Sequence, residues 1–472
     1  MEYNKITPEI AQKLKAVVGE GRFELGEAVK EDYSHDEMPI YGKHYPECVC
    51  EVVSTEEVSA IMKICSENHI PVTPRGAGTG LAGGAVPLYG GVIVCTARMN
   101  HILGYDMDNM AVHTEVGVLL QDLAADALEH GLMYPPDPGE KTATLGGNVS
   151  TNAGGMRAVK YGVTRDYVLA MTVVLPNGEI MKLGKTVCKT SSGYSLLHLM
   201  IGSEGTLGII TELTLKLVAK PAMDVSLILP FESLEACIAT VPKIKQANLD
   251  PQSIEFMGRD IVESSAAFTG KKTFPTEING KQVEASILVT FVGSTDEELE
   301  MKMAELDELA TEQGSLDTLV IDTPTLKKEV WAARSAFLTA IEADTKHMDE
   351  LDVVVPVNEI ANFLAFVRKT GDSLGLGVRN FGHAGDGNLH IYSCSNTMSE
   401  EEFMKVNREM MDICYAECAR IGGQVSGEHG IGHAKKVFLK RSAGDTAMGL
   451  MAAIKNVFDP NGILNPGKVC TD

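Results

Sequence analysis

The sequence predicts a multidomain α+β protein, and three observations carry that prediction. A chain of 472 residues exceeds what one hydrophobic core organises. Short apolar strands alternate with amphipathic helices through the first half. Glycine is dense up to Lys220, thins beyond it, and returns after residue 375. With 44% hydrophobic and 22% charged residues, the composition is that of a globular protein.

The elements read as follows. Thr7-Pro8-Glu9 offers a cap, a first-turn proline and an early acid, followed by Ile10, Leu14, Val17 and Val18 at helical spacing and a stop at Gly19. Strands are expected at 48–53, 70–73, 91–96 and 110–115, with helices at 58–68 and 119–129. Beyond Lys220, strands at 225–229 and 287–291 accompany a charged helix at 296–313, and a long helix spans 401–421. The expected organisation is a helical segment 1–40, a first domain 41–220, a second domain 221–415, and a C-terminal segment 416–472 that completes the site.

The formal net charge of −23 argues against nucleic acid, whose phosphates require clustered Lys and Arg. It also discourages contact with an anionic membrane, and an anionic substrate then needs a local basic group. No apolar run approaches the roughly 20 residues of a membrane span, and the N-terminus is polar, so a cytoplasmic protein is expected. The ten cysteines form no CxxC pairs. Cys48 with Cys50, and Cys414 with Cys418, read as small buried hydrophobes, so the chain carries no metal-cluster wire of its own.

Three glycine clusters stand out. Pro74-Arg75-Gly76-Ala77-Gly78-Thr79-Gly80 follows a short strand, and Gly78, Gly80 and Gly83 match GxGxxG. A dinucleotide fingerprint must open a helix, yet Gly84, Pro87, Gly90 and Gly91 follow, so the nicotinamide reading fails. What remains is a loop of amides able to wrap an anion. The second cluster runs from Pro138-Gly139 through Gly146-Gly147-Asn148 and Thr151-Asn152 to Gly155 and Gly162, and the third is Glu204-Gly205-Thr206-Leu207-Gly208-Ile209. Each alone reads as tight turns; three together imply close approach of backbone to something.

These runs resemble the FAD-binding domain of the vanillyl-alcohol oxidase or PCMH superfamily across about residues 40 to 220. The resemblance implies a two-subdomain FAD-binding domain, a following α+β cap (substrate) domain, and a C-terminal segment returning to the flavin. It assigns the first loop to the pyrophosphate and the other two to ribose, adenine and isoalloxazine. Neither His nor Cys occurs in the first two clusters, so non-covalent FAD is expected.

In the last hundred residues, Phe381-Gly382-His383-Ala384-Gly385-Asp386-Gly387-Asn388-Leu389-His390 reads as strand, turn, strand, with Asp-Gly-Asn supplying positive-φ positions. His383 and His390 then flank the turn and can meet across it. Ser426-Gly427-Glu428-His429-Gly430 places a carboxylate beside an imidazole. Two His and one Glu suit a divalent metal (Fe, Zn or Mn), although for two lone histidines, hydrogen-bonded hairpin residues with Glu428 capping the following helix are the stronger reading. Gly430 and Gly432 argue against a helical pair of His429 with His433.

These segments resemble the HxGDGNLH and GEHG motifs of the FAD-linked oxidase C-terminal domain found in D-lactate, glycolate and D-2-hydroxyglutarate dehydrogenases. The resemblance implies His383, His390 and Glu428 as metal ligands, His429 as catalytic base, and Asn388 and Asn465 as weaker site candidates. It also offers Arg334, three residues after the lone Trp331, as the substrate-carboxylate anchor; a surface helical arginine is the competing reading. Where family members acting on dicarboxylates place a lysine, this chain has Glu350, which favours a short monocarboxylate such as D-lactate or glycolate. The expected activity is FAD-dependent 2-hydroxy acid dehydrogenation, with electrons passed to an electron-transfer flavoprotein or another redox subunit. A true oxidase, or a flavin relay without its own substrate, are the alternatives.

Overall fold

The computed structural model describes residues 2–471. The chain divides into two compact units, one comprising Met1–Gly154, Val163–Lys220 and Glu428–Asp472, the other Gly155–Gly162 and Pro221–Gly427.

In the first unit the N-terminal helix spans Pro8–Val18; the Thr7 side chain accepts from the Ile10 amide, and Ile10, Leu14 and Val18 are buried. Its sequence signals therefore place it correctly. A four-stranded sheet has the order Phe23–Leu25, Cys48–Glu51, Val92–Cys95, Val72–Arg75. The last three strands are parallel. Cys48, Val49 and Cys50, like Val92, Ile93 and Val94, are buried on both faces, which is why they read as unbroken apolar runs. A second sheet of five antiparallel strands runs Ile102–Asp106, Ala111–Glu115, Ile209–Lys216, Val168–Val174, Ile180–Gly184.

The first glycine loop opens no helix. The second departs from expectation, because Leu145–Thr151 is a helix rather than a loop. Thr144 caps it by accepting from Gly147, and Asn152 ends it at φ 54. Glycine costs a helix about 1 kcal/mol relative to alanine. That cost is offset by packing: a Cβ on Gly146 would lie 2.7 Å from Val116. The tail returns to this unit, with the Val72 amide on Ile463 (2.8 Å) and the Asn465 amide on Val72 (2.7 Å).

The second unit is built on a seven-stranded antiparallel sheet ordered Leu319–Ile321, Met223–Phe231, Ala285–Gly293, Ser253–Gly258, Gly377–His383, Asn388–Ser395, His347–Val354. One face carries a core of Ile228, Met257, Leu288, Phe337, Phe381 and Tyr392, with Trp331 packed against it. All ten cysteines are free, and Cys48, Cys50, Cys414 and Cys418 are buried. No helix among the described residues is long and apolar enough to cross a membrane.

Candidate active site

The hairpin forms as its sequence predicts, with one difference. Of the turn residues only Gly387 has positive φ, at 88°; Asn388 already belongs to the second strand. His383 therefore pairs with Asn388, and Phe381 with His390. The imidazoles meet on the diagonal, with ring centroids 5.2 Å apart, and the two Nε2 atoms 3.4 Å apart.

Residues opposed across antiparallel strands share a sheet face. The register sets Glu255 beside His383, and Asp352 and Glu350 opposite His390 and Tyr392. One face of four strands thus gathers these polar groups, and each is buried. His383 Nδ1 lies 2.8 Å from Glu255 Oε1, and His390 Nδ1 lies 3.2 Å from Glu350 Oε1. The Tyr392 hydroxyl also donates to Glu350, at 2.7 Å. Burial and the Glu350 charge together push the Tyr392 phenol well above its ordinary range.

Arg334, on the helix Pro324–Ser335, is buried rather than on the surface. Its Nε and Nη2 donate to Glu255 Oε2 at 3.0 and 2.6 Å, and its guanidinium lies 4.7 Å from the Phe381 ring centre. Burial pushes the Glu255 carboxyl up, but His383 and Arg334 outweigh it and hold the group below its usual value.

Asn388 donates to Asp352 at 2.8 Å and to the Val353 carbonyl. Asp352 in turn accepts from the Ser426 hydroxyl (2.7 Å) and the Gly427 amide (3.0 Å). The residue before Glu428 is thereby tied to the hairpin strand.

Within the first unit, His429 Nε2 lies 3.9 Å from Glu428 Oε1, and the His429 side chain is 17% exposed. Gly430 and Gly432 have φ of 84° and 50°, so no helix joins His429 to His433. The Glu204 carboxylate accepts from the Ile431 amide (2.8 Å) and the Gly432 amide (2.7 Å). Its own amide bonds Ser150, and its carbonyl accepts from Asn465 Nδ2, which also bonds Gly84. Glu204 thus joins the three glycine clusters to the His429 loop and the tail.

Other cofactor candidates divide between protein contacts and open backbone. Arg75 donates to the Asp32 and His35 carbonyls, beneath Tyr33. A Cβ would strike Thr144 at Gly76, Arg75 at Gly78, Pro74 at Gly205 and Val173 at Gly208, so these glycines serve close packing of the protein on itself. Ile209 begins a buried strand. Thr151 bonds the Gly147 carbonyl and Asn152 the Arg165 amide. Gly155 and Gly162, at φ 118° and 81°, fall in the second unit. By contrast, a Cβ on Gly139 meets nothing within 4 Å, one on Gly80 only Asp36 at 3.8 Å. Pro138 accepts from Lys141; Ala77 is exposed and Pro74 and Thr79 are partly so.

Residues 220–469 match the family described as FAD linked oxidases, C-terminal domain, and residues 46–184 match an FAD binding domain. This chain belongs to the FAD-linked oxidase family. It is 57% identical to a protein of Anaerostipes hadrus named D-lactate dehydrogenase, over 99% of this chain and 98% of that one. It is 35% identical to the glycolate oxidase subunit GlcD of Bacillus subtilis (strain 168), over 98% and 97%. The fold is also that of p-cresol methylhydroxylase, with a TM-score of 0.81 at 19% identity, covering 100% of this chain and 98% of that one.

The cofactor of this FAD-linked oxidase is FAD, and the first unit fits it. Asn148 Nδ2 and Asn465 Oδ1 are buried polar atoms without a hydrogen-bond partner among the described residues. Buried polar groups are almost always satisfied, so a polar ligand beside the glycine clusters accounts for both. Glu255 had escaped sequence reasoning. Its signal was a carboxylate inside Ser253-Ile254-Glu255-Phe256-Met257, a run otherwise suited to a buried strand.

Proposed function

We propose that this FAD-linked oxidase is a dehydrogenase of a small D-2-hydroxy acid, with D-lactate the favoured substrate and pyruvate the product. The histidine pair carries this reading. An ionised carboxylate can only accept, so Glu255 and Glu350 each draw a proton to Nδ1 and turn two Nε2 lone pairs towards each other. Such a donor set suits a divalent cation (Fe, Zn or Mn). His383 and His390 would hold it, with Glu428 as the third ligand that the family resemblance implies. A cation held there supplies Lewis-acid polarisation of the substrate oxygens. FAD, bound non-covalently, supplies the two-electron acceptor for the Cα hydride.

The protein's own part is proton transfer and orientation. His429 takes the hydroxyl proton as the C=O bond forms. Arg334 receives the substrate carboxylate through the edge that Glu255 does not use, the Nη1 side. Glu350 adds negative charge to the same sheet face and disfavours a second substrate carboxylate. The name of the 57% identical relative supports lactate, and that of the 35% identical one supports glycolate as the second reading. Electrons then pass to a partner flavoprotein or other redox subunit in the cytosol, because the chain has no cluster-forming cysteine pattern. Binding of an electron-transfer flavoprotein and slow reaction with oxygen are the expected signs.

Anaerobic addition of D-lactate, L-lactate, glycolate or D-2-hydroxyglutarate tests the reading. Bleaching of the flavin is expected with D-lactate first. A flavin that stays yellow with all four would identify a relay without its own substrate.

A further inference from the structure

Glu255 is wholly buried and sits at the centre of a chain of charge-assisted bonds. Oε1 faces His383 Nδ1 at 2.8 Å, while Oε2 takes both Arg334 Nε and Nη2. His390 is held less firmly, at 3.2 Å from a Glu350 oxygen shared with the Tyr392 hydroxyl. The two histidines approach each other through Nε2, at 3.4 Å.

We infer that Glu255 is a positioning residue: one oxygen, facing His383 Nδ1, locks that ring in the Nδ1–H tautomer, and Arg334, gripping the other oxygen through two nitrogens, holds the carboxylate in place to do so. Its consequence for metal affinity rests on the proposed metal site, whereas the tautomer itself does not. Arg334 thereby acquires a second role besides substrate binding, because the guanidinium and the His383 Nε2 lone pair are set by the same carboxylate.

Glu255→Gln should invert this arrangement. A carboxamide has one acceptor oxygen and one donor nitrogen. Arg334 is permanently charged and can only donate, so it claims the oxygen. The amide NH2 then faces His383 Nδ1, which must become an acceptor, and the ring proton moves to Nε2. In the double variant Glu255→Gln/Arg334→Met the competitor is gone, the oxygen turns back to His383, and the original tautomer returns.

Long-range 15N–1H spectra of the histidine rings in metal-free holoenzyme read the tautomer directly, with His383 assigned by its loss in His383→Gln. The wild type should show Nδ1–H, Glu255→Gln should show Nε2–H, and the double variant should revert. Titration with Mn2+ followed by electron paramagnetic resonance should show binding weakened about 10- to 100-fold in Glu255→Gln, the range for an outer-shell partner of a metal-ligating histidine, and recovered in the double variant. A wild-type His383 protonated at Nε2 overturns the inference even if Glu255→Gln fails to fold. So does an unchanged tautomer in Glu255→Gln. If the tautomers follow the prediction but wild type binds no Mn2+, the metal reading fails and the role of Glu255 stands.

Discussion

Arg334→Met is expected to destabilise the second unit by about 3–5 kcal/mol, the cost of leaving one partner of a buried ion pair uncompensated. The side chains of Arg334 and Glu255 are 7% and 0% exposed, so solvent screening offers little relief. His383 remains bonded to the other Glu255 oxygen, which places the expectation at the lower end, about 3 kcal/mol. Arg334→Lys keeps the charge but loses the two-nitrogen fork and part of the packing on Phe381 and Phe337. About 1–2 kcal/mol is expected there, from one charge-assisted bond and a weakened cation–π contact. Glu255→Gln/Arg334→Met removes both charges and should be more stable than Arg334→Met alone. Trp331, the chain's single tryptophan, lies on the same helix as Arg334. Its fluorescence during urea unfolding of the apoprotein therefore reports on this unit. In parallel, kcat/KM for D-lactate should fall about 10- to 150-fold in Arg334→Met, the equivalent of one charge-assisted bond of about 1.5–3 kcal/mol. An Arg334→Met protein as stable as wild type, no less stable than the double variant and unchanged in kcat/KM, would refute the reasoning.

Replacing His429 with Gln should leave FAD and metal content intact while abolishing bleaching by D-lactate; bleaching at the normal rate would mean that another group takes the proton. Chelation, or His390→Ala, should remove metal and turnover but spare FAD, which absorbance and elemental analysis distinguish. Asn465→Ala breaks bonds to the Gly84 and Glu204 carbonyls and should cost about 1–3 kcal/mol, measured as lower thermal stability together with weaker FAD retention. Lys468 supplies a pH test. Burial, only partly opposed by Glu204 and Asp36, lowers its amine to about 7. The folded protein therefore binds fewer protons than the unfolded chain between that value and the ordinary lysine value of about 10.4. Stability should rise with pH through this window, and Lys468→Met should flatten the rise. An identical slope in both proteins would contradict the buried, depressed amine.

Much of this molecule was legible in local sequence. Thr7, Pro8 and Gly19 bounded the first helix, the residues after Gly80 excluded a dinucleotide-binding helix, and Asp386-Gly387 announced the hairpin that brings His383 towards His390. These signals lie within a few residues of their effects, because caps, turns and periodicity act through neighbouring backbone. The motifs also carried the family resemblance, and with it FAD. The second glycine cluster misled because glycine there marks tight packing of a short helix, which depends on Val116 and not on its own neighbours. Tertiary structure alone decided the charge pairing. Glu255 and His383 are 128 positions apart, and Glu350 and His390 are 40 apart. Only the strand register makes each pair neighbours on one sheet face. Tertiary packing also turned Arg334 inward and spent Arg75 on backbone carbonyls, since a buried guanidinium takes whatever acceptors the fold provides.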